Sequence, residues 1–106
     1  MYYTYIIRCM DNTYYIGYTS DINRRMEEHK KGINCKYSRA RGFKKLEIYY
    51  STNERKDAMK LEAFLKKLTR ANKTKLIENP NLLFDKYFID KNKYNICLNL
   101  YRLLNN

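Results

Sequence analysis

The stretch from Tyr2 to Lys31 leaves the chain few ways to fold. "YYTYIIRC" (Tyr2–Cys9) and "YYIGY" (Tyr14–Tyr18) are aromatic and β-branched, the composition of strands. Only "MDNT", a set of turn residues, lies between them. Strands joined so tightly pair with each other, antiparallel, as a hairpin. "TSD" follows and offers Thr19, Ser20 or Asp21 as the N-cap of a helix of about ten residues ending near Lys31, with Gly32 suited to its C-cap.

The rest of the chain supplies cover for that hairpin. Residues 32–45 read as irregular. "LEIYYST" (Leu46–Thr52) returns to strand character. Asn53 is a candidate cap for a second long helix, Glu54–Leu68, in which Ala58, Leu61, Leu65 and Leu68 keep helical period. "RANKTKLI" reads as a short third helix. "ENPN" (Glu78–Asn81) holds the only proline and marks a break, which divides a domain at 1–78 from an extension at 79–106. Apolar residues in the extension are dense enough for one or two more helices docked on the domain. The predicted class is α/β in the α+β sense, with three strands, helices between and after them, and a helical C-terminal extension.

Charge narrows the function. Lys and Arg total 22 against 11 Asp and Glu, a formal net charge of +11 on 106 residues. A small domain so basic attracts polyanions, nucleic acid first. Seven of the cations fall between Lys30 and Lys45 with no acidic residue among them: Lys30, Lys31, Lys36, Arg39, Arg41, Lys44 and Lys45. Tyr37 and Phe43 are interleaved, and Tyr37 is placed to stack on a base. No apolar run approaches the roughly 20 residues of a membrane span, and the N-terminus does not read as a signal peptide. Three cysteines and a single histidine make no zinc pattern and read as reduced thiols, so a cytoplasmic protein, monomeric and without a membrane partner, is expected.

On the first helix Ile22, Arg25, Met26 and His29 fall at i, i+3, i+4 and i+7, the stripe a helix turns toward its protein. An arginine and the only histidine therefore sit where leucines are usual. Tyr15 lies on the strand feeding that helix, and Tyr5 on its hairpin partner. Two phenols, a guanidinium and an imidazole can then line one concave surface. Glu62, beside Leu61 and three before Leu65, borders the buried stripe of its helix. A carboxylate there needs a partner, an ion pair with Lys66 or a metal ion.

These residues resemble the GIY-YIG nuclease family, in its small single-domain branch. "YIG" is intact as Tyr15-Ile16-Gly17, and Tyr3-Thr4-Tyr5 stands where Gly-Ile-Tyr is usual. The resemblance covers about residues 1–77 and includes "DINRRMEEH" and a late "KKLTR". It implies a small α/β sandwich with a central three-stranded antiparallel sheet flanked by helices. It implies catalytic roles for Tyr5, Tyr15, Arg25 and His29, and one Mg²⁺ or Mn²⁺ held by Glu62. The family's late asparagine has no clean counterpart. In such a site Arg25 would grip the phosphate and a tyrosine, Tyr5 or Tyr15, would act as base once positive charge lowers its pKa from about 10. All five side chains are expected on one cleft. The implied activity is metal-dependent endonucleolytic hydrolysis of DNA, structure-dependent or weakly sequence-specific, with repair as one setting and RNA as the other candidate polymer. The alternative is a non-catalytic nucleic-acid-binding module on the same fold.

Overall fold

The hairpin forms as the sequence requires. In the computed structural model, which describes residues 1–97, β1 (Tyr2–Arg8) runs antiparallel to β2 (Tyr14–Thr19), with Tyr5 opposite Gly17 and Ile7 opposite Tyr15. Asp11 closes the turn by accepting from the Thr13 amide and hydroxyl. β3 (Lys45–Thr52) pairs antiparallel with the other side of β1, with a register shift between Ile6 and Ile7. A fourth strand, β4 (Asn95–Cys97), adds to β3, so the sheet order is β2-β1-β3-β4. The sheet thus has four strands where three were expected, and β2 is an outer strand.

Strand alternation sorts the side chains onto two faces. One face carries Tyr5, Ile7 and Leu46 and is covered by α1 (Ile22–Lys31) through Met26. Asp21 caps α1 by accepting from the Arg24 amide, and Gly32 ends it at φ 67°, a left-handed position suited to glycine. The other face carries Ile6, Ile16, Ile48 and Tyr50. Leu61 and Leu65 of α3 (Arg55–Lys66) and Leu76 and Ile77 of α4 (Arg70–Glu78) cover it. Thr4 Oγ1 donates to the Ala58 carbonyl at 2.9 Å and ties α3 to β1.

Three expectations are corrected. Residues 32–45 are not irregular throughout: Lys36–Arg41 form a helix, α2, whose only buried residue is Ser38. One buried residue leaves no apolar period to read in the sequence. α3 takes Glu54, not Asn53, as its N-cap, without a side-chain bond to the backbone. After Pro80 the described residues form a single helical turn, α5 (Leu82–Asp85), and then a strand. The apolar run at 98–106, expected to be helical, lies outside the described residues.

Leu65 is fully buried between α3 and the sheet. Leu65→Ala is expected to lower the unfolding free energy by about 2–5 kcal/mol, the range for emptying a core leucine site. Urea unfolding followed by circular dichroism measures it.

Candidate active site

Tyr5 sits at the centre of the sheet face beneath α1, and the whole side chain is buried. Its ring lies across β2 because residue 17 there is glycine. A Cβ on Gly17 would stand 2.5 Å from Tyr5 Oη, 2.8 Å from its Cζ and 3.3 Å from Tyr15 Cε2. The glycine of "YIG" therefore makes the room that the tyrosine of the neighbouring strand occupies.

A buried hydroxyl needs partners. α1 brings two, one turn apart. His29 Nε2 lies 2.8 Å from Tyr5 Oη, and Arg25 Nε donates to the same oxygen at 3.4 Å. The direction of the Tyr5–His29 bond follows the imidazole tautomer: the phenol donates to an unprotonated Nε2 and accepts from a protonated one, while His29 Nδ1 is buried with no hydrogen-bond partner among the described residues. The two bonds to Tyr5 answer why an arginine and a histidine occupy an apolar stripe: they serve a polar atom in the core. Arg25 is held further by Glu28 Oε1 and the Asn34 carbonyl, each accepting from Nη1 at 3.2 Å. Asn34 Nδ2 in turn donates to Glu28 Oε2 at 2.6 Å.

Tyr15 completes the cluster from the outer strand. Its ring is 5.4 Å from that of His29 and 5.1 Å from that of Tyr37. Phe43 stacks on His29 at 6.4 Å. Cys35, read from sequence only as a reduced thiol, is near enough to Tyr15 for the phenol to influence its titration. Burial pushes the Cys35 thiol up, but Ser38, Tyr15 and the Tyr37 amide together outweigh it and hold the pKa below its ordinary value. Nothing in the spacing of a single cysteine 20 residues after Tyr15 signals this contact.

Electrostatics set the resting protonation states. Burial pushes the His29 pKa down to about 4, aided by the Arg25 charge, so the imidazole is neutral near pH 7. Burial raises the Tyr5 and Tyr15 phenols, against the opposing pull of Arg25. The downward shift expected of a tyrosine base is thus not produced by Arg25 alone. Burial would weaken the Arg25 cation, but its bonds to Tyr5 and Glu28 outweigh that and keep it protonated.

Glu62 is not part of this cluster. It lies on α3, and the sheet separates α3 from α1, which corrects the expectation of one shared cleft. Its carboxylate is half-buried and 3.6 Å from Lys66 Nζ. Its flank of α3 is nonetheless the one turned toward β2. Arg55, two turns earlier on that flank, donates to Tyr18 of β2, while Asp57 and Phe64 on the other flank meet Tyr94 and Tyr87. Tyr15 and Glu62 therefore approach the same sheet edge from opposite faces.

The basic segment divides into paired and unpaired cations. Arg41 donates to Asp11 at 2.8 Å and lies 4.8 Å over the Tyr37 ring. Lys45 pairs with buried Glu47 at 3.7 Å, Lys30 with Glu27 at 3.3 Å, and Lys44 donates to Asn12 at 3.4 Å. Lys31, Lys36 and Arg39 have no carboxylate partner among the described residues.

Residues 1–75 match the family model of the GIY-YIG catalytic domain. A UPF0213 protein of Listeria welshimeri is 44% identical over 72 residues, which cover 68% of this chain and 80% of the relative. A UPF0213 protein of Clostridium perfringens is 34% identical over 87 residues, 82% of this chain and 94% of the relative. The solution NMR structure of a UPF0213 protein from Bacillus halodurans is 38% identical and covers 74% of this chain and 84% of its own, at a TM-score of 0.48. No helix of the described residues is long and apolar enough to cross a membrane. A domain match over most of the chain, with relatives of this identity matched over four-fifths or more of their length, makes this protein a member of the GIY-YIG family.

Proposed function

We propose that the protein is a metal-dependent endonuclease that hydrolyses phosphodiester bonds in DNA, with structure-dependent or weakly sequence-dependent recognition and a role in repair. The observation that carries this reading is the Tyr5 hydroxyl held between neutral His29 and cationic Arg25. A guanidinium supplies charge for the phosphate. The phenol–imidazole pair supplies a path for the proton of an attacking water: Tyr5 oxygen accepts it while passing its own proton to His29 Nε2. Tyr5 then needs no lasting phenolate, so a raised phenol pKa is compatible with the role. The negative charge of a bound phosphate favours the imidazolium that results. Tyr15, half-buried and packed against the His29 and Tyr37 rings, borders the cluster.

Among the described residues no three His, Cys, Asp or Glu side chains gather around one point. A single half-buried carboxylate, Glu62, fits a hydrated Mg²⁺ or Mn²⁺ completed by water and substrate phosphate, and does not fit a dehydrated cage. Bound there, the ion would neutralise charge on the phosphate and the leaving oxygen. A phosphodiester crossing the outer edge of β2 is the substrate placement that can meet both Arg25 and Glu62. The separation of Glu62 from Arg25 by the sheet favours a second reading, a binding module without cleavage. In that reading Lys31, Lys36 and Arg39 carry the interaction alone.

Cleavage of plasmid and branched DNA with Mg²⁺, Mn²⁺ or EDTA separates the two. Arg25→Ala and Glu62→Gln are each expected to lose about 10²-fold or more in rate, the scale for deleting one electrostatic stabiliser. Glu62→Gln is expected to bind DNA as well as the parent. Undiminished cleavage by Glu62→Gln overturns the metal assignment, and binding without metal-dependent cleavage establishes the module.

The neutral, buried His29 has a signature in stability. Its folded pKa of about 4 lies below the ordinary 6.5, so between these values the unfolded chain binds more protons. The His29 contribution is full above pH 6.5 and is lost as pH falls toward 4, by about 3 kcal/mol in all. Melting temperatures from pH 7 to 4 are expected to fall less steeply in His29→Phe than in the parent protein.

Binding to DNA is expected to weaken with salt at a slope near −0.9 per phosphate contacted. Lys36→Ala/Arg39→Ala is expected to make that slope shallower by about 2. Arg41→Ala is expected to contribute less, because Asp11 already neutralises it. Fluorescence anisotropy across a salt series measures both.

A further inference from the structure

The family motif "KKLTR" opens a segment that the cluster under α1 does not use. Residues 66–75 hold five cations, Lys66, Lys67, Arg70, Lys73 and Lys75, and no carboxylate. They form the corner where α3 ends and α4 begins, with Thr69 as the cap of α4, accepting from the Asn72 amide. Only Lys66 has a carboxylate partner among the described residues, and that partner is Glu62. Like charges this dense repel one another and call for an anionic partner.

One cation of the corner is fixed in place. The Arg70 guanidinium lies 4.6 Å over the Tyr14 ring. Tyr14 is itself pinned, with its hydroxyl 2.9 Å from Thr74 Oγ1 and accepting from Arg8 Nη2 at 3.1 Å. Stacking restrains a guanidinium without using its N–H donors, so less freedom is lost when it takes a phosphate. Tyr14 directly precedes Tyr15 on β2, and alternation sends the two rings to opposite faces of the sheet. The Arg25 cluster and the Arg70 corner are therefore back to back across one outer strand, whose far side pairs with no other strand among the described residues.

We propose that the α3–α4 corner is a second phosphate-binding surface, so that a nucleic-acid backbone passes over the outer edge of β2 from the Arg25 side to the Arg70 side. This rests on the nuclease reading and deepens it: the substrate is a polymer long enough to reach both faces. Tyr37 of α2 lies against Tyr15 and Arg70 of the corner against Tyr14, so the two cationic surfaces stand on opposite faces of the sheet with the outer strand between them. A mononucleotide cannot span them. Their contributions to salt dependence add, because each surface releases its own counterions.

The test is anisotropy with a 20-base-pair DNA duplex over a salt series. It compares the parent protein with Lys67→Ala/Arg70→Ala/Lys73→Ala, Lys36→Ala/Arg39→Ala and the two combined. The corner variant is expected to make the slope shallower by about 2–3, the α2 variant by about 2, and the combination by their sum. Lys67→Ala/Lys73→Ala, which leaves the Arg70–Tyr14 stack intact, guards against misfolding and is expected to show about two-thirds of the corner effect. Arg70→Lys keeps the charge and is expected to keep the slope. A parental slope in both corner variants, alongside a reduced slope in the α2 variant, overturns this inference and leaves the nuclease reading standing. Absence of duplex binding by the parent protein overturns both.

Discussion

A tyrosine hydroxyl in the interior of a small sheet is costly unless it is fully satisfied, and much of this structure follows from satisfying one. Tyr5 Oη has two partners, and both come from α1. That fixes which face of α1 turns inward, which in turn sets where Glu28 and Asn34 lie to hold the guanidinium. It also fixes what β2 can carry opposite Tyr5: only a residue without a side chain leaves space for the ring. A motif that reads as tyrosine–isoleucine–glycine is, physically, a strand that presents Tyr15, sends Ile16 to the α3 core and vacates the place that Tyr5 fills.

The sheet that supports this arrangement also divides it. Alternation along β1 and β2 sends Tyr5, Ile7 and Tyr15 to α1 and sends Thr4, Ile6, Tyr14 and Ile16 to α3 and α4. Any site built from both helices must use the one place where the two faces meet without crossing the core, the outer edge of β2. Side chains long enough to reach it stand on either side: Arg25 and Tyr15 on one, Arg55, Glu62 and Arg70 on the other. A rod-like polyanion lying against an edge touches both faces of a sheet, and a compact ligand in a pocket on one face does not.

Most of the fold could be read from the chain because its signals are periodic. The strand–turn–strand opening, the α1 stripe at Ile22, Arg25, Met26 and His29, and the α3 stripe at Ala58, Leu61 and Leu65 are patterns of two or of three and four. What stayed hidden has no period. α2 buries only Ser38, and β4 is three residues long with two of them exposed. Of the candidate site, the gathering of Tyr5, Tyr15, Arg25 and His29 under α1 was legible, because Arg25 and His29 are polar residues on an apolar stripe, a local anomaly. The Cys35–Tyr15 contact was not legible, since it depends on how residues 32–45 fold back. Nor was the side of the sheet on which Glu62 stands. The helical wheel places Glu62 at the border of the buried stripe, but the connection from β3 decides which face α3 covers, and no residue of that connection announces the choice.

Burial and the proposed catalytic role pull against each other at Tyr5. The burial that gives the hydroxyl fixed partners also raises its pKa and lowers that of His29, so at rest the proton stays on the phenol and the imidazole stays empty. The guanidinium opposes burial at Tyr5 and reinforces it at His29. An anion arriving at Arg25 reverses the second effect: it screens the cation that helps keep His29 neutral and favours an imidazolium in its place. In the proposed mechanism, proton acceptance by His29 is then coupled to the presence of phosphate. The resting site, with both phenols protonated and the imidazole neutral, avoids burying an uncompensated charge, which is the condition for placing such groups in the core of a 106-residue chain at all.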